Sequence, residues 1–302
     1  MPPPLEEVLV TGEQPGPGMW RVSNAGHELW ILGTLDPLPK KLTWRSRQAE
    51  ALIAKSQEVI APPGVDVSIG FFRGLAALPA LLRARKNADG RTLRDVLPED
   101  VYERWRVLKD RYLGRGDDVE RFRPSVAAHE LYKHALDRSG LTSGDGVWSV
   151  VEKSAKRHRV PITTVTVSLV LDDPKATIRQ LVQVPREPDV ACLASTIERL
   201  ETDLQPMRRR ASLWSLGDVE GLRRMPYADQ RVACFDAVMS VPELRAQVLK
   251  LREQLVDKWL SAAQHSLATN DTAFAVLPIS QILESDGWLA RLRAQGYEVD
   301  EP

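Results

Sequence analysis

Two short apolar segments near the start of the chain decide its fold: Met19-Trp20-Arg21-Val22 and Leu29-Trp30-Ile31-Leu32-Gly33-Thr34. Between them stand Ser23-Asn24-Ala25-Gly26, and Asn and Gly are typical of a tight hairpin turn. The second segment is almost continuously apolar, which is typical of a strand covered on both faces. We therefore expect an antiparallel hairpin whose second strand lies inside a sheet.

The other end of the chain carries a second unit of this kind. Phe274-Ala275-Val276-Leu277 predicts a strand, residues 288–294 predict a helix, and 297–299 predict a final strand. Gly296 suits the end of that helix. Strands at both ends with helices between them predict an α/β (α+β) fold. Its central mixed β-sheet is formed by the N- and C-terminal strands and surrounded by many helices.

Helical patterns dominate between the two ends. They predict helices over 44–56, 98–112, 124–138, 146–158, 172–184, 189–204 and 243–268, and strands over 58–61 and 160–170. Residues 1–18 hold five prolines and little apolar content, so we expect an extended flexible arm there. Residues 19–302 are expected to form a single domain with a helical middle region, about 68–268.

Composition excludes several classes of function. Lys and Arg number 41, and Asp and Glu also number 41, so the formal net charge is zero. No excess of positive charge is available to hold a polyanion, and we expect no nucleic-acid partner. No apolar run approaches the roughly 18 residues that a membrane span needs, so the chain is not expected to span a membrane.

Catalytic motifs are hard to find in this sequence. His129 and His134 are five residues apart, which turns the second imidazole by about 140° on a helix and argues against a zinc pair. The cationic run over 207–210 is interpreted as a solvated helix face. Cys192 and Cys234 each follow an alanine, and two buried thiols or one disulfide both remain open, because the compartment decides between them.

Both ends of the chain carry motifs of a known family. Trp20-Arg21-Val22 and the block from Leu29 to Pro39 follow the pattern W-x-V … Y-L-x-G-T-x-H-x-L-P. The block from Phe274 to Val299 follows F-x-x-V-G-A-x-H-L-x-G-x-x-G-L-x-x-L-L-x-x-x-G-Y-x-V without a gap. In these motifs the chain resembles the TraB/GumN family, also called TIKI-like.

The resemblance implies a sheet whose strand ends present two G-x-x-H motifs, and some family members are described as metal-dependent peptidases. This chain departs from the family at those positions. The first histidine is replaced by Asp36 and the second by Gln281, its glycine is Pro278, and the glutamate of the next strand falls at Pro62. An amide is a weak ligand for transition metals, and proline offers no side-chain ligand. We expect a degenerate member without catalytic residues, metal or cofactor.

The resemblance also implies a function. We expect a non-catalytic binding or scaffolding protein of the bacterial envelope, whose partner is an envelope polysaccharide or another envelope protein. The expected cleft residues are Gly33, Thr34, Asp36, Arg252, Glu253 and Gln281. The alternative is a divalent-metal-dependent hydrolase or peptidase that uses relocated residues such as Asp36, Arg252, Glu253 or Glu284. The ligand and the oligomeric state are left open.

The expected location is the periplasm, with a signal peptide already removed; the cytoplasm is the alternative. The family's link to the envelope supports this expectation. The segment Pro4 to Gly12 adds to it, because it resembles the start of mature outer-membrane receptors that contact TonB. A periplasmic location favours a disulfide between Cys192 and Cys234.

Overall fold

The computed structural model describes residues 16–41, 44, 46–68, 71–144, 146–170, 173–225 and 231–302. Most of the expected arm, residues 1–15, thus lies outside the described residues. The strands are β1 Met19–Asn24, β2 His27–Thr34, β3 Leu38–Pro39, β4 Glu58–Ile60, β5 Gly64–Ser68, β6 Leu141–Thr142, β7 Ile162–Thr163, β8 Thr166–Val170, β9 Thr272–Pro278 and β10 Glu298–Asp300. The helices before residue 170 are α1 Arg47–Lys55, α2 Phe71–Ala84, α3 Leu93–Val96, α4 Glu99–Tyr112, α5 Pro124–Arg138 and α6 Gly146–His158. Those after it are α7 Pro174–Val182, α8 Arg186–Thr202, α9 Leu204–Leu216, α10 Val219–Arg224, α11 Arg231–Met239, α12 Pro242–Thr269, α13 Ile279–Leu283 and α14 Trp288–Ala294.

The hairpin of β1 and β2 opens the main sheet, as predicted. Met19 pairs with Leu32, and the strands are joined by Ala25 and Gly26, which have φ angles of 51° and 91°. Positive φ at both turn positions matches the twist of the two strands, and glycine adopts it without strain. The last strand, β10, pairs antiparallel with β1, so both ends of the chain meet at this side of the sheet.

The centre of the main sheet is parallel. Its strand order is β10-β1-β2-β9-β4-β7, and β9 lies parallel to both β2 and β4. Five of the seven β9 residues, Ala273 to Leu277, are fully buried, as expected for a strand covered on both faces. The predicted fold, a mixed sheet built by the N- and C-terminal strands and surrounded by helices, is confirmed.

Two parts of the middle region differ from the sequence expectation. The single strand predicted over 160–170 is two strands: β7 extends the main sheet beside β4, and β8 pairs with β5 in a separate two-stranded sheet. No helix was predicted over the residues of α2, which contains Pro79 and continues through it. The division into β7 and β8 reflects partners that are distant in sequence, and α2 packs against α7.

The interior consists of two main apolar clusters. One covers the main sheet and contains Trp20, Trp214, Trp259 and Phe274, each at most 1% exposed. The other is entirely helical and lies among α4, α5 and α8. A disulfide between Cys192 and Cys234 joins α11 to α8 beside this second cluster. Among the described helices, none has both the length and the apolar character that crossing a bilayer requires.

Candidate functional site

Three parallel strands end at one edge of the main sheet. β2 ends at Thr34, β9 at Pro278 and β4 at Ile60, and Thr34 pairs directly with Pro278. Ligands of α/β sheets bind outside the carboxyl ends of such strands. This edge therefore holds the segments that the family motifs single out.

The end of β2 is held by packing. A Cβ added to Gly33 would lie 3.1 to 3.3 Å from side-chain atoms of Trp20, Ile279 and Ile282, so the backbone approaches its neighbours closely. The indole Nε1 of Trp214 donates to the carbonyl oxygen of Gly33 at 2.8 Å. Gly33 and the half-buried Thr34 thus shape the edge without presenting a charged or metal-binding group.

The positions that the resemblance predicts to correspond to metal ligands lie around this edge. Asp36 is exposed and already has a polar partner, Pro62 follows β4 and is half-buried, and Gln281 is half-buried within α13. Together they offer one carboxylate and one amide, which is a poor donor set for a catalytic transition metal. Within the described ranges, no three His, Cys, Asp or Glu side chains lie close enough to hold an ion. The residues at this edge do not fit the family's metal.

Two other expected cleft residues lie on the longest helix. Arg252 and Glu253 are both exposed on α12. Neither makes a hydrogen bond or ion pair with a described residue. They are solvated side chains in this structure, and nothing holds them in a reactive arrangement.

A cleft of about 290 Å³ opens beside the sheet edge. It is lined by Leu35, Arg210, Leu222, Arg223, Met225, Ile279, Ser280, Leu283 and Glu284. One wall comes from chain neighbours of Asp36 and Gln281, and the other comes from α9, α10 and the residue after α10. Glu284 is the member of the alternative set that lines the cleft. No histidine is among these residues, so Ser280 has no imidazole base beside it to activate its hydroxyl.

The burial of Arg210 contradicts one interpretation of the sequence. The run over 207–210 was interpreted as a solvated helix face, but Arg210 is only 3% exposed. Its Nη2 lies 2.6 Å from Oδ2 of Asp203, which also pairs with Arg199 at 3.3 Å. Asp203 stands seven residues before Arg210, a spacing that keeps two side chains on one helical face and was the available signal.

The second arginine of the cleft is also paired. Arg223 lies 2.7 Å from Glu301, which Arg293 contacts at 3.1 Å. Burial raises the pKa of Glu301, but the hydrogen bonds from Arg223 and Arg293 together lower it by more than burial raises it. The pKa of Glu301 therefore lies below its usual value. Glu301 is therefore ionised near neutral pH. The cleft is mostly apolar, and each of its two arginines pairs with a carboxylate that a second arginine shares.

Fold and site define a class: a mixed α/β protein whose sheet is closed by the two ends of the chain and whose strand edge opens into an apolar cleft. The model of the TraB/PrgY/gumN family matches residues 18–301, and the chain belongs to this family. The resemblance seen in the terminal motifs is thus confirmed over nearly the whole chain. No curated protein and no solved structure matches the chain.

Proposed function

We propose that this chain is a non-catalytic member of its family that serves as a binding or scaffolding protein of the cell envelope. The observation that carries the proposal is the donor chemistry at the sheet edge. Asp36, Pro62 and Gln281 stand where the family motifs have two imidazoles and a carboxylate. A divalent ion that activates water needs several strong ligands and an open coordination position.

Glu58, the nearest acidic residue on β4, does not compensate for this loss. It pairs with Ala273 near the start of β9, at the opposite end of the sheet from Pro278. Its carboxylate accepts a hydrogen bond from Asn270 at 3.0 Å and another from Thr163. These bonds hold Glu58 away from the edge at which the family motifs converge.

The apolar cleft supports a binding role. Leu35, Ile279 and Leu283 supply apolar contact area, while the Ser280 hydroxyl and the exposed Glu284 carboxylate supply polar groups for orienting a ligand. Sites of this kind bind small or extended ligands without chemistry. The family's link to polysaccharide production makes an envelope saccharide the first ligand to test, and an envelope protein the second.

The disulfide supports an exported location. Cross-links of this kind persist in oxidising compartments such as the periplasm and are rare in the cytosol. The bond between Cys192 and Cys234 closes a loop of 42 residues, which stabilises a protein that works outside the cytosol. We therefore include a periplasmic location in the proposal.

Metal titration tests the central claim. Wild-type protein is titrated with Mn²⁺, Co²⁺ and Zn²⁺ by calorimetry, beside a variant that restores the family ligands through Asp36→His, Pro62→Glu and Gln281→His. We expect no stoichiometric binding at micromolar metal by the wild type and a gain of binding by the restored variant. Micromolar binding by the wild type that Asp36→Ala abolishes would contradict the proposal.

A peptidase assay separates the hydrolase alternative from the proposal. Wild type, Asp36→Ala and Asp271→Ala are compared on a peptide mixture with each divalent ion. Asp271 is a matched control, because it is an exposed aspartate at the opposite end of the parallel strands. We expect no turnover by any of the three; cleavage that is lost in Asp36→Ala alone would establish the alternative.

A further inference from the structure

A second and larger cavity lies away from the sheet edge. It is a groove of about 1010 Å³ between the end of α2, the helix α7 and the segments that precede α3 and α5. It shares no lining residue with the cleft described above. Any ligand of this groove would therefore bind independently of the family's motif positions.

The groove is strongly cationic. Among the described residues, eight basic and two acidic ones line it, although the whole chain has no net charge. Five of the basic side chains make no hydrogen bond or ion pair with a described residue: Arg83, Lys86, Arg91, Arg121 and Lys175. All five are exposed. Such a concentration of unpaired positive charge attracts and holds anions.

The three other arginines of the groove each have a polar partner among the described residues. Arg123 donates to the buried carboxylate of Asp189 at 3.1 Å, so the negative charge of Asp189 is already paired. Arg186 donates to the carbonyl oxygen of Val96 at 3.0 Å. Arg179 pairs with the exposed Asp173 at 3.7 Å. The guanidinium of Arg186 has no carboxylate partner, so it adds to the positive field. Asp89 is the other acidic residue of the groove and has no ion pair with a described residue.

The walls between the cations are aliphatic. Two helices present one face each, through positions 80, 83 and 84 of α2 and positions 175, 178, 179 and 182 of α7. The apolar members of the lining include Ala80, Ala84, Val96, Ile178 and Val182. No aromatic side chain is found among the described residues that line the groove, which provide no flat surface on which a nucleobase would stack.

We propose that this groove binds an anionic amphiphile, with a phosphate or carboxylate head group among the unpaired cations and an aliphatic chain along the apolar walls. Charge-assisted hydrogen bonds from Lys and Arg hold the head, and removal of apolar surface from water favours the chain. Both halves of the groove are needed for this ligand class. The inference goes beyond the proposed function, because it concerns a separate site and does not depend on the sheet edge.

Three probes measure separately what the anionic head group and the aliphatic chain contribute to binding. Calorimetry uses monomeric dihexanoylphosphatidylglycerol, dihexanoylphosphatidylcholine and glycerol phosphate. We expect saturable binding of the anionic lipid, and binding at least about tenfold weaker for the zwitterionic lipid and for the head group alone. Equal binding of glycerol phosphate would reduce the site to a simple anion site, and equal binding of the zwitterionic lipid would remove the role of the cations. Either result overturns the proposal.

Charge-reversal variants locate the binding. The groove variant is Lys86→Glu with Arg91→Glu, and its matched control is Lys153→Glu with Arg209→Glu. All four are exposed cations without an ion pair to a described residue, so both variants lose the same charge and are expected to fold. We expect the groove variant to lose at least about tenfold in affinity for the anionic lipid, and the control to stay within about twofold. Equal losses in both would show unspecific charge attraction and overturn the proposal.

Two further experiments test the role of the apolar walls and the source of the ligand. Val182→Ser, at a groove residue that is 50% exposed, is expected to weaken lipid binding but leave glycerol phosphate binding unchanged. An unchanged lipid affinity would refute the role of the walls. Co-sedimentation with phosphatidylglycerol vesicles then distinguishes a membrane lipid from a free amphiphile, and an acidic oligosaccharide that binds more tightly than any lipid would refute the assigned class.

Discussion

The disulfide makes a quantitative prediction about stability. Cys192 is fully buried in α8, and its bond to Cys234 of α11 closes a loop of 42 residues. The chain-entropy relation for a loop of this length gives a stabilisation of about 4 kcal/mol at 25 °C. Reduction breaks the bond without changing the amino-acid sequence, so the loss on reduction measures the cross-link without a substitution.

Urea unfolding with and without a reductant measures this loss. With a slope of about 3 kcal/mol per molar, the reduced protein should unfold at a midpoint lower by about 1.3 M. The matched control is the double variant Cys192→Ala and Cys234→Ala, whose midpoint should not respond to the reductant.

Mass spectrometry of unreduced protein prepared from the periplasm checks the bond directly. The bonded protein lacks the two thiol hydrogens. Two free thiols, or a wild-type midpoint that does not change with the reductant, would refute the reasoning and remove the support that the bond gives to export.

Three further predictions concern single residues. Lys109→Ala should cost about 3–5 kcal/mol in the free energy of urea unfolding, because it leaves the buried carboxylate of Glu120, 3.0 Å away, without its cation; a cost below that of an exposed pair would contradict this. Gly287→Ala should cost about 1–3 kcal/mol in the same assay, because a Cβ there would overlap the carbonyl oxygen of Gln281; an unchanged midpoint would show that the turn relaxes freely. The pKa of Glu301 is lowered in the folded state, so its stabilising effect is complete above the unfolded value of about 4.3 and is lost as the pH falls through the folded pKa. Melting temperatures recorded between neutral and acidic pH should therefore converge for wild type and Glu301→Gln at low pH, and parallel curves would disprove this linkage.

Local signals account for the elements that the sequence predicted well. The helices α5, Pro124–Arg138, and α6, Gly146–His158, have the predicted bounds, and so does α14, Trp288–Ala294. Pro124 occupies the first turn of its helix, and Gly296 follows the last turn of α14. Such start and stop signals act within one or two turns of helix, so they are visible in a single sequence.

Elements whose partners are distant in sequence were less predictable. The run over 160–170 is mostly β-branched, and its division into β7 and β8 follows from pairing with β4 and β5, about one hundred residues earlier. Composition and periodicity carry no information about such contacts.

The sequence by itself determined the family and the sheet built by both ends of the chain, and it supplies the residue identities at Asp36, Pro62 and Gln281 on which the proposed loss of metal chemistry depends. These properties reside in the identities and spacings of neighbouring residues, which folding does not alter. Only the tertiary structure decided which side chains line the cleft and that a neutral chain concentrates positive charge in one groove. The cations of that groove come from segments around residues 83–91, 121 and 175–186, and they lie together only because the packing of α2 and α7 holds them there.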